Sequence, residues 1–116
     1  MAGLATSSIG CASQSETAKM YGIIGRMNAL KGKRDQLANI MVDASEHMPG
    51  CLSYIVAKDN SDESALWITE VWDSQESHKA SLSLDSVVQA ISRGRPLIAS
   101  FGERIETSPT GGYGLS

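Results

Sequence analysis

Apolar side chains occupy both faces of the segment from residue 65 to residue 72, and this pattern constrains the fold more than any other in the chain. Successive side chains of a strand point to opposite faces. The two faces would carry Leu66, Ile68, Glu70 and Trp72 on one side, and Trp67, Thr69 and Val71 on the other. An antiparallel sheet with one solvated side normally alternates between apolar and polar residues. We therefore expect both faces of this sheet to be covered.

The predicted elements follow the order β-α-β-β-α-α-β. Runs rich in β-branched and aromatic residues, bounded by glycine, proline and polar clusters, are typical of strands. These runs cover residues 21–27, 51–58, 65–72 and 101–107. The order is the split β-α-β arrangement of a ferredoxin-like α+β fold with one extra helix, so we predict an antiparallel sheet with helices on one face.

Three helices are predicted between these strands. The first has an apolar stripe at three- and four-residue spacing, formed by Leu37, Ile40, Met41, Ala44 and Met48. The Pro-Gly pair at 49–50 would end it, because proline cannot continue a helix and glycine accepts the turn. Asp73 followed by Glu76 has the form of a capping box that opens a second helix, running to about residue 84. Asp85 is the expected cap of a short third helix, broken at residues 94–96.

Length and composition restrict the classes of function. The 116 residues are near the commonest length of one domain, and we divide them into a disordered arm at 1–19, a folded domain at 20–108 and a flexible tail at 109–116. The formal net charge of −3 gives no electrostatic footprint for nucleic acid. No apolar run approaches the roughly 18 residues of a membrane span. Cys11 and Cys51 form neither a disulfide framework nor a metal-binding motif, which favours a reducing, cytoplasmic location.

The second face of the sheet needs a partner. The predicted helices can cover only one face, and a second copy of the same sheet is the simplest cover for the other. We therefore predict a homodimer through the sheet faces, with a half-apolar cavity in each subunit.

Three stretches of the chain are similar to the antibiotic biosynthesis monooxygenase family, in particular its quinol-monooxygenase-like branch. They are residues 49–54, residues 70–78 and residues 93–101, which read PGCLSY, EVWDSQESH and RGRPLIASF. The similarity extends over roughly residues 20–107. It implies a dimeric α+β barrel and the oxidation of a phenol or hydroquinone by O2 as co-substrate, without flavin, haem or metal.

The implied reaction needs a base, donors or a cation for the resulting phenolate, and an apolar pocket. His78 is the first candidate base, because an imidazole titrates near neutral pH; it could equally hold the second helix against the sheet. Glu70 lies on a mostly apolar strand face and needs a partner if buried. That partner could be Arg26 or Arg95, or Glu70 could itself be the base.

Three further residues are candidates for binding a small aromatic substrate. Trp72 could line the pocket beside an aromatic substrate and donate its indole N–H, or it could be a core or interface tryptophan. Tyr54 could donate a hydrogen bond to a phenolate. Arg95 could stabilise an anionic intermediate, or it could tie a loop to a carboxylate.

Two alternatives remain open at this stage. A non-catalytic dimeric module could bind a small aromatic ligand or another protein through the same cavity. A haem-degrading enzyme of this fold would pair a histidine on the second helix with a tryptophan and an asparagine on the first strand. His78 and Trp67 or Trp72 could serve, but the predicted first strand offers Gly22, Ile24 and Arg26 where the asparagine is needed.

Overall fold

Four antiparallel strands and three helices form an α+β fold in the computed structural model, which describes residues 19–115. The expected disordered arm therefore lies, except for Lys19, outside the described residues. The elements in chain order are β1 (Tyr21–Ala29), α1 (Arg34–Ala44), β2 (Cys51–Lys58), β3 (Ala65–Trp72), α2 (Gln75–Ser81), α3 (Asp85–Gly94) and β4 (Ile98–Thr107). A short 3-10 turn, Arg95–Leu97, joins α3 to β4. The predicted ferredoxin-like order is confirmed.

The strands lie in the order β2-β3-β1-β4, and every pair is antiparallel. In the β1–β3 ladder Ile23 lies opposite Glu70 and Met27 opposite Leu66. The central strands β1 and β3 are thus flanked by β2 on one side and β4 on the other. The register sets which side chains share a face, and it confirms the predicted division of β3 into two faces.

The helices pack against one face, called here the helix face. Its core is a cluster of buried side chains from β1, α1 and β3, made of Ala29, Leu37, Ala38, Leu66 and Ile68. Gly94 at the end of α3 lets that helix approach α1, because a Cβ at Gly94 would lie 3.2 Å from Leu37 Cδ1. Burial of these apolar side chains holds the helix layer to the sheet.

The other face of the sheet, called here the open face, is also apolar. Its register places these residues on neighbouring strands: Ile24, Ile55, Trp67, Thr69, Val71 and Ile105. Ile55 and Ile105 are 55% and 51% exposed. The predicted two-sided sheet is therefore present in the single chain, with one side uncovered.

Several predicted boundaries were wrong for local reasons. Helix α1 ends at Ala44, with Ser45 as its cap, so Met48 lies beyond the helix although it continues the apolar spacing. Helix α2 is capped by Ser74, whose Oγ accepts the Ser77 N–H at 3.1 Å, and not by Asp73. Leu84, without a side-chain bond, takes the cap position predicted for Asp85.

The start of β2 contains a register shift that changes the face on which Cys51 lies. The ladder pairs Cys51 with Trp72 and Ser53 with Val71, so two residues of β2 advance while β3 advances by one. Such a bulge returns Cys51 to the helix face, whereas strict alternation places it with Ser53 on the open face.

None of the helices within residues 19–115 is long and apolar enough to span a membrane.

Candidate functional site

A cavity of about 850 Å³ lies between the helix face of the sheet and the helices. Most of its lining is apolar, from β1, α1, β3 and α3, and includes Met27, Leu37, Met41, Ile68 and Ala90. Glu70 and His78 lie at the end where β3 passes into α2, called here the polar end, and further polar residues such as Arg95 and Ser100 line the cavity elsewhere. The chain thus provides a half-open, largely apolar chamber with a few polar side chains in its lining, a common form of small-molecule site.

Glu70, Trp72 and His78 meet at that polar end of the cavity. Trp72 Nε1 donates a hydrogen bond of 2.9 Å to Glu70 Oε1, and His78 Nε2 lies 4.0 Å from the same oxygen. The rings of Trp72 and His78 are in edge contact, with centroids 5.4 Å apart. The Glu70 and His78 side chains keep 15% and 18% exposure, whereas Trp72 is buried. Three of the predicted site residues therefore share one partly accessible cluster.

The sequence builds this cluster from the junction of a strand and a helix. Glu70 and Trp72 are two apart on β3, so both point to the helix face. Ser74 then caps α2, and His78 follows one turn later. The Pro-Gly turn before β2 is hydrogen-bonded to this junction, since the Gly50 carbonyl accepts the Asp73 N–H at 2.8 Å. Two segments distant in sequence thus position the start of the helix that carries His78.

Tyr54 lines the same cavity from β2, opposite Glu70 in the ladder. Burial raises the pKa of the Tyr54 phenol far above its usual value, with a smaller contribution from Glu70. The hydroxyl is therefore protonated at neutral pH and can donate a hydrogen bond. Burial also raises the pKa of the Cys51 thiol, which keeps that neighbouring group neutral.

Arg95 borders the opposite end of the cavity and does not join the cluster. It precedes Ile98, which pairs with Ala29, whereas Glu70 pairs with Ile23. Six residues of β1 separate these positions, about 20 Å along an extended strand. Within the single chain, Glu70 therefore pairs with neither Arg26 nor Arg95. Arg26 forms an ion pair of 2.6 Å with Asp62 instead, and Glu70 accepts the indole N–H.

Sequence reasoning missed three residues beside His78. The Tyr21 ring lies 5.5 Å from the His78 ring, centroid to centroid. The Tyr21 hydroxyl donates to Glu106, and Arg104 Nη1 lies 3.4 Å from the same Glu106 oxygen. Tyr21 and Glu106 are 85 positions apart in the chain, so only the β1–β4 pairing brings them together. No local spacing could have identified them.

Two features bear on the haem alternative. Trp67 lies on the open face, where its Nε1 donates to Asp59 at 2.8 Å, so only Trp72 shares a cavity with His78. Asn28, the asparagine of β1, donates to Ser100 Oγ at 3.0 Å at the far end of the strand. The residues are therefore not arranged as that alternative requires. No group of three or more His, Cys, Asp or Glu side chains within 19–115 could hold a metal ion.

Comparison with known proteins gives a consistent result. Residues 20–93 match the family model described as antibiotic biosynthesis monooxygenase. A structure from Chloroflexus aurantiacus, named a "putative antibiotic biosynthesis monooxygenase", is 61% identical; the match covers 84% of this chain and 99% of that one, with a TM-score of 0.82. No curated protein sequence matches this chain at a significant level.

More distant structures share the fold. A protein from Nitrosomonas europaea with the same description is 14% identical over 84% of this chain and 94% of that one, with a TM-score of 0.70. SnoaB from Streptomyces nogalater, a cofactor-independent oxygenase, is 10% identical over 81% of this chain and 96% of that one, with a TM-score of 0.67. The family model covers well over half of the sequence, and the Chloroflexus aurantiacus protein is similar over nearly the whole described domain. The chain therefore belongs to the antibiotic biosynthesis monooxygenase family.

Proposed function

We propose that the protein is a cofactor-independent monooxygenase that oxidises a quinol or related polyphenol with O2. The observation that carries the proposal is the meeting of His78, Glu70 and Trp72 at the polar end of a largely apolar cavity. Family membership supports the reaction class. SnoaB, which shares the fold, is itself named a cofactor-independent oxygenase.

The first step is removal of a phenolic proton. Neutral His78 accepts this proton, and the imidazolium that forms lies beside the Glu70 carboxylate, 4.0 Å away. Such a pair stabilises charge in a partly buried site more than it would in water. The Trp72 N–H fixes the carboxylate by its hydrogen bond, so Glu70 presents its charge to His78 without rearrangement. His78 and Glu70 thus act as a base and its electrostatic support.

The second step is reaction of the phenolate with O2. Triplet O2 reacts slowly with closed-shell molecules, and a phenolate gives up an electron far more easily than a phenol. For a quinol with one free ring carbon, one oxygen atom forms the new carbon–oxygen bond and the other leaves in water. The products are a hydroxyquinone and water, and the quinol supplies all four electrons. The reaction therefore balances without an external reductant.

The remaining lining residues bind the substrate in this proposal. The neutral Tyr54 hydroxyl donates to the developing phenolate, and the partly exposed His78 ring, packed against buried Trp72, borders the aromatic ring. Arg95, at the other end of the cavity, contacts the distal part of an extended substrate. The assembly that completes the proposal is a homodimer through the open faces, and its expected location is the cytoplasm.

The experiment is oxygen uptake by purified, metal-depleted protein on a panel of reduced quinones and polycyclic phenols. Isotopically labelled O2 should place one labelled atom in the product and one in water. His78→Ala should lower kcat at least about tenfold, since general base catalysis commonly contributes that much or more. Glu70→Gln should lower kcat about tenfold as well, because the amide retains an acceptor for Trp72 but loses the charge.

His47→Ala is the matched control, because His47 is exposed in the bend after α1 and lies outside the cavity lining. It should leave the rate unchanged. Absence of any rate above the uncatalysed background across the panel would count against the proposal. Product without labelled oxygen, accompanied by hydrogen peroxide, would show an oxidase instead. Ligand binding without turnover would favour the non-catalytic module.

A further inference from the structure

We propose that Tyr21 is a positioning residue for His78: its ring holds the imidazole against Trp72, and its hydroxyl is anchored on β4 by Glu106. The catalytic part of this inference rests on the proposed function, in which His78 is the base. The structural part concerns the imidazole alone and can be tested without a substrate.

The imidazole of His78 has an aromatic neighbour on each of two adjacent strands. Tyr21 and Trp72 are register partners across the β1–β3 ladder, so their side chains emerge side by side on the helix face. Their ring centroids lie 5.5 Å and 5.4 Å from that of His78, with interplanar angles of 44° and 73°. Both distances are within the range of favourable aromatic pairs. Two rings therefore restrict the rotation of the imidazole.

The hydroxyl of Tyr21 fixes its own ring in turn. It donates to a Glu106 oxygen that also faces Arg104 Nη1 at 3.4 Å. The hydrogen bond from Tyr21 lowers the pKa of the Glu106 carboxyl, and Arg104 lowers it further. The same bond raises the pKa of the Tyr21 phenol, which therefore remains a donor at neutral pH. The anchor joins β1 to β4 at the edge of the sheet.

This arrangement is needed because the backbone alone does not orient His78. Helix α2 has only seven residues, and the His78 N–H to Ser74 carbonyl distance is a long 3.4 Å. The Nε2 atom must stay 4.0 Å from Glu70 for the carboxylate to support an imidazolium. Without the Tyr21 ring, the imidazole could turn into the space that the ring leaves and away from Glu70. A small displacement of a catalytic group is enough to cost a large factor in rate.

The first test measures the imidazole directly, in the full chain and without substrate. The chain has two histidines, so the Hδ2 and Hε1 resonances of His78 can be followed with those of exposed His47 as an internal reference. Tyr21→Leu should move the His78 resonances toward those of a free imidazole, because a neighbouring ring current is lost. Tyr21→Phe should leave them in place, and no variant should move the His47 resonances.

The second test uses turnover. Tyr21→Leu should lower kcat about tenfold or more with KM changed by less than about threefold, because the base is misplaced while the substrate lining remains. Tyr21→Phe and Glu106→Ala should each lower kcat by no more than about threefold, because both lose the anchor of the hydroxyl but keep the ring that contacts His78. A merely structural role for Tyr21 would not give this rescue by phenylalanine together with a selective loss of kcat.

Some results would overturn the inference. One is a Tyr21→Leu protein with unchanged His78 resonances; another is a Tyr21→Phe or Glu106→Ala loss as large as that of Tyr21→Leu, which would assign the effect to the hydroxyl or the charge. Should Tyr21→Leu not fold, cross-relaxation between the Tyr21 ring protons and His78 in the unmodified protein decides, and its absence would refute the contact. Absence of turnover in the unmodified protein would refute the proposed function. The resonance experiment would still test whether the Tyr21 ring positions the His78 imidazole.

Discussion

At the scale of single residues, Gly50 links the Pro-Gly turn to the helix that carries His78. Its φ is +85°, and a Cβ there would lie 2.6 Å from Ser77 Cβ and 2.9 Å from Asp73 Oδ1. Gly50→Ala would therefore combine an unfavourable backbone conformation with a collision against the first turn of α2. We expect it to lower the free energy of unfolding by about 3 kcal/mol. Urea denaturation measures this change as a lower midpoint, with an unchanged slope of unfolding free energy against urea concentration.

Gly32→Ala provides the matched control for Gly50. Gly32 also has positive φ, +76°, but no atom lies within 4 Å of a Cβ built there. Its substitution should therefore cost only the backbone term, about 1 kcal/mol. Equal losses for the two variants would show that the contact of the turn with α2 does not contribute.

At the scale of elements, the β2–β3 loop is organised by the Asp59 carboxylate. One oxygen accepts the Ser61 and Asp62 N–H groups at 2.7 and 3.1 Å, and the other accepts the Trp67 indole at 2.8 Å. The Trp67 hydrogen bond, followed by that from Ser61, lowers the pKa of Asp59 below its usual value. A group whose pKa is lower in the folded state stabilises that state above the unfolded pKa, and the contribution is lost as pH falls through the folded pKa.

Asp59→Asn should therefore flatten the acid side of the stability profile. The unmodified protein should lose stability as pH falls below about 4, the usual range of an aspartate in an unfolded chain. The variant should be less stable at pH 7 and should lose less between pH 7 and pH 3. Urea midpoints at several pH values measure both effects, with Asp43→Asn on the exposed surface of α1 as control. Parallel profiles for Asp59→Asn and the unmodified protein would contradict this role for Asp59.

The elements also show how far local sequence patterns determine structure. Alternating side chains and glycine or proline boundaries were sufficient to locate the four strands, because these signals act between near neighbours. They missed the last two residues of β1 and the first three of β4. Helical apolar spacing was misleading at Met48, since an apolar residue beyond the end of a helix can continue that spacing and still border the cavity. Strand alternation was misleading at Cys51, because a bulge shifts the register there.

The residues of the candidate site also divide into those that local sequence predicts and those that only strand pairing brings together. Glu70, Trp72 and His78 were predictable together because they lie within nine consecutive residues at a strand–helix junction. Tyr21, Arg104 and Glu106 were not, because their place beside His78 depends on pairing between the first and last strands. Arg95 was proposed on chemical type alone to stabilise an anionic intermediate, and the register puts it at the other end of the cavity from Glu70.

At the scale of the whole molecule, the open face raises the question of what covers it. Ile55 and Ile105 lie on the two edge strands of this face, with Thr69 and Ile24 between them in the register, and both isoleucines are about half exposed. Exposed apolar patches of this kind are typical of interaction surfaces. A two-fold partner offers an identical apolar sheet and buries both patches at once. We therefore expect sedimentation at twice the 12.3 kDa chain mass.

Ile55→Lys and Ile105→Lys should each convert the dimer to a monomer. By two-fold symmetry, each substitution would place two lysines in the buried interface, and burying unpaired charge is strongly unfavourable. Val42→Lys is the matched control, because Val42 is also half exposed, at 50%, but lies on α1 on the other side of the sheet. Sedimentation velocity over micromolar concentrations distinguishes the outcomes. A stable, folded monomer of the unmodified chain, or a dimer unaffected by either lysine, would refute the interface, whereas dissociation in both variants but not in Val42→Lys would place it on the open face.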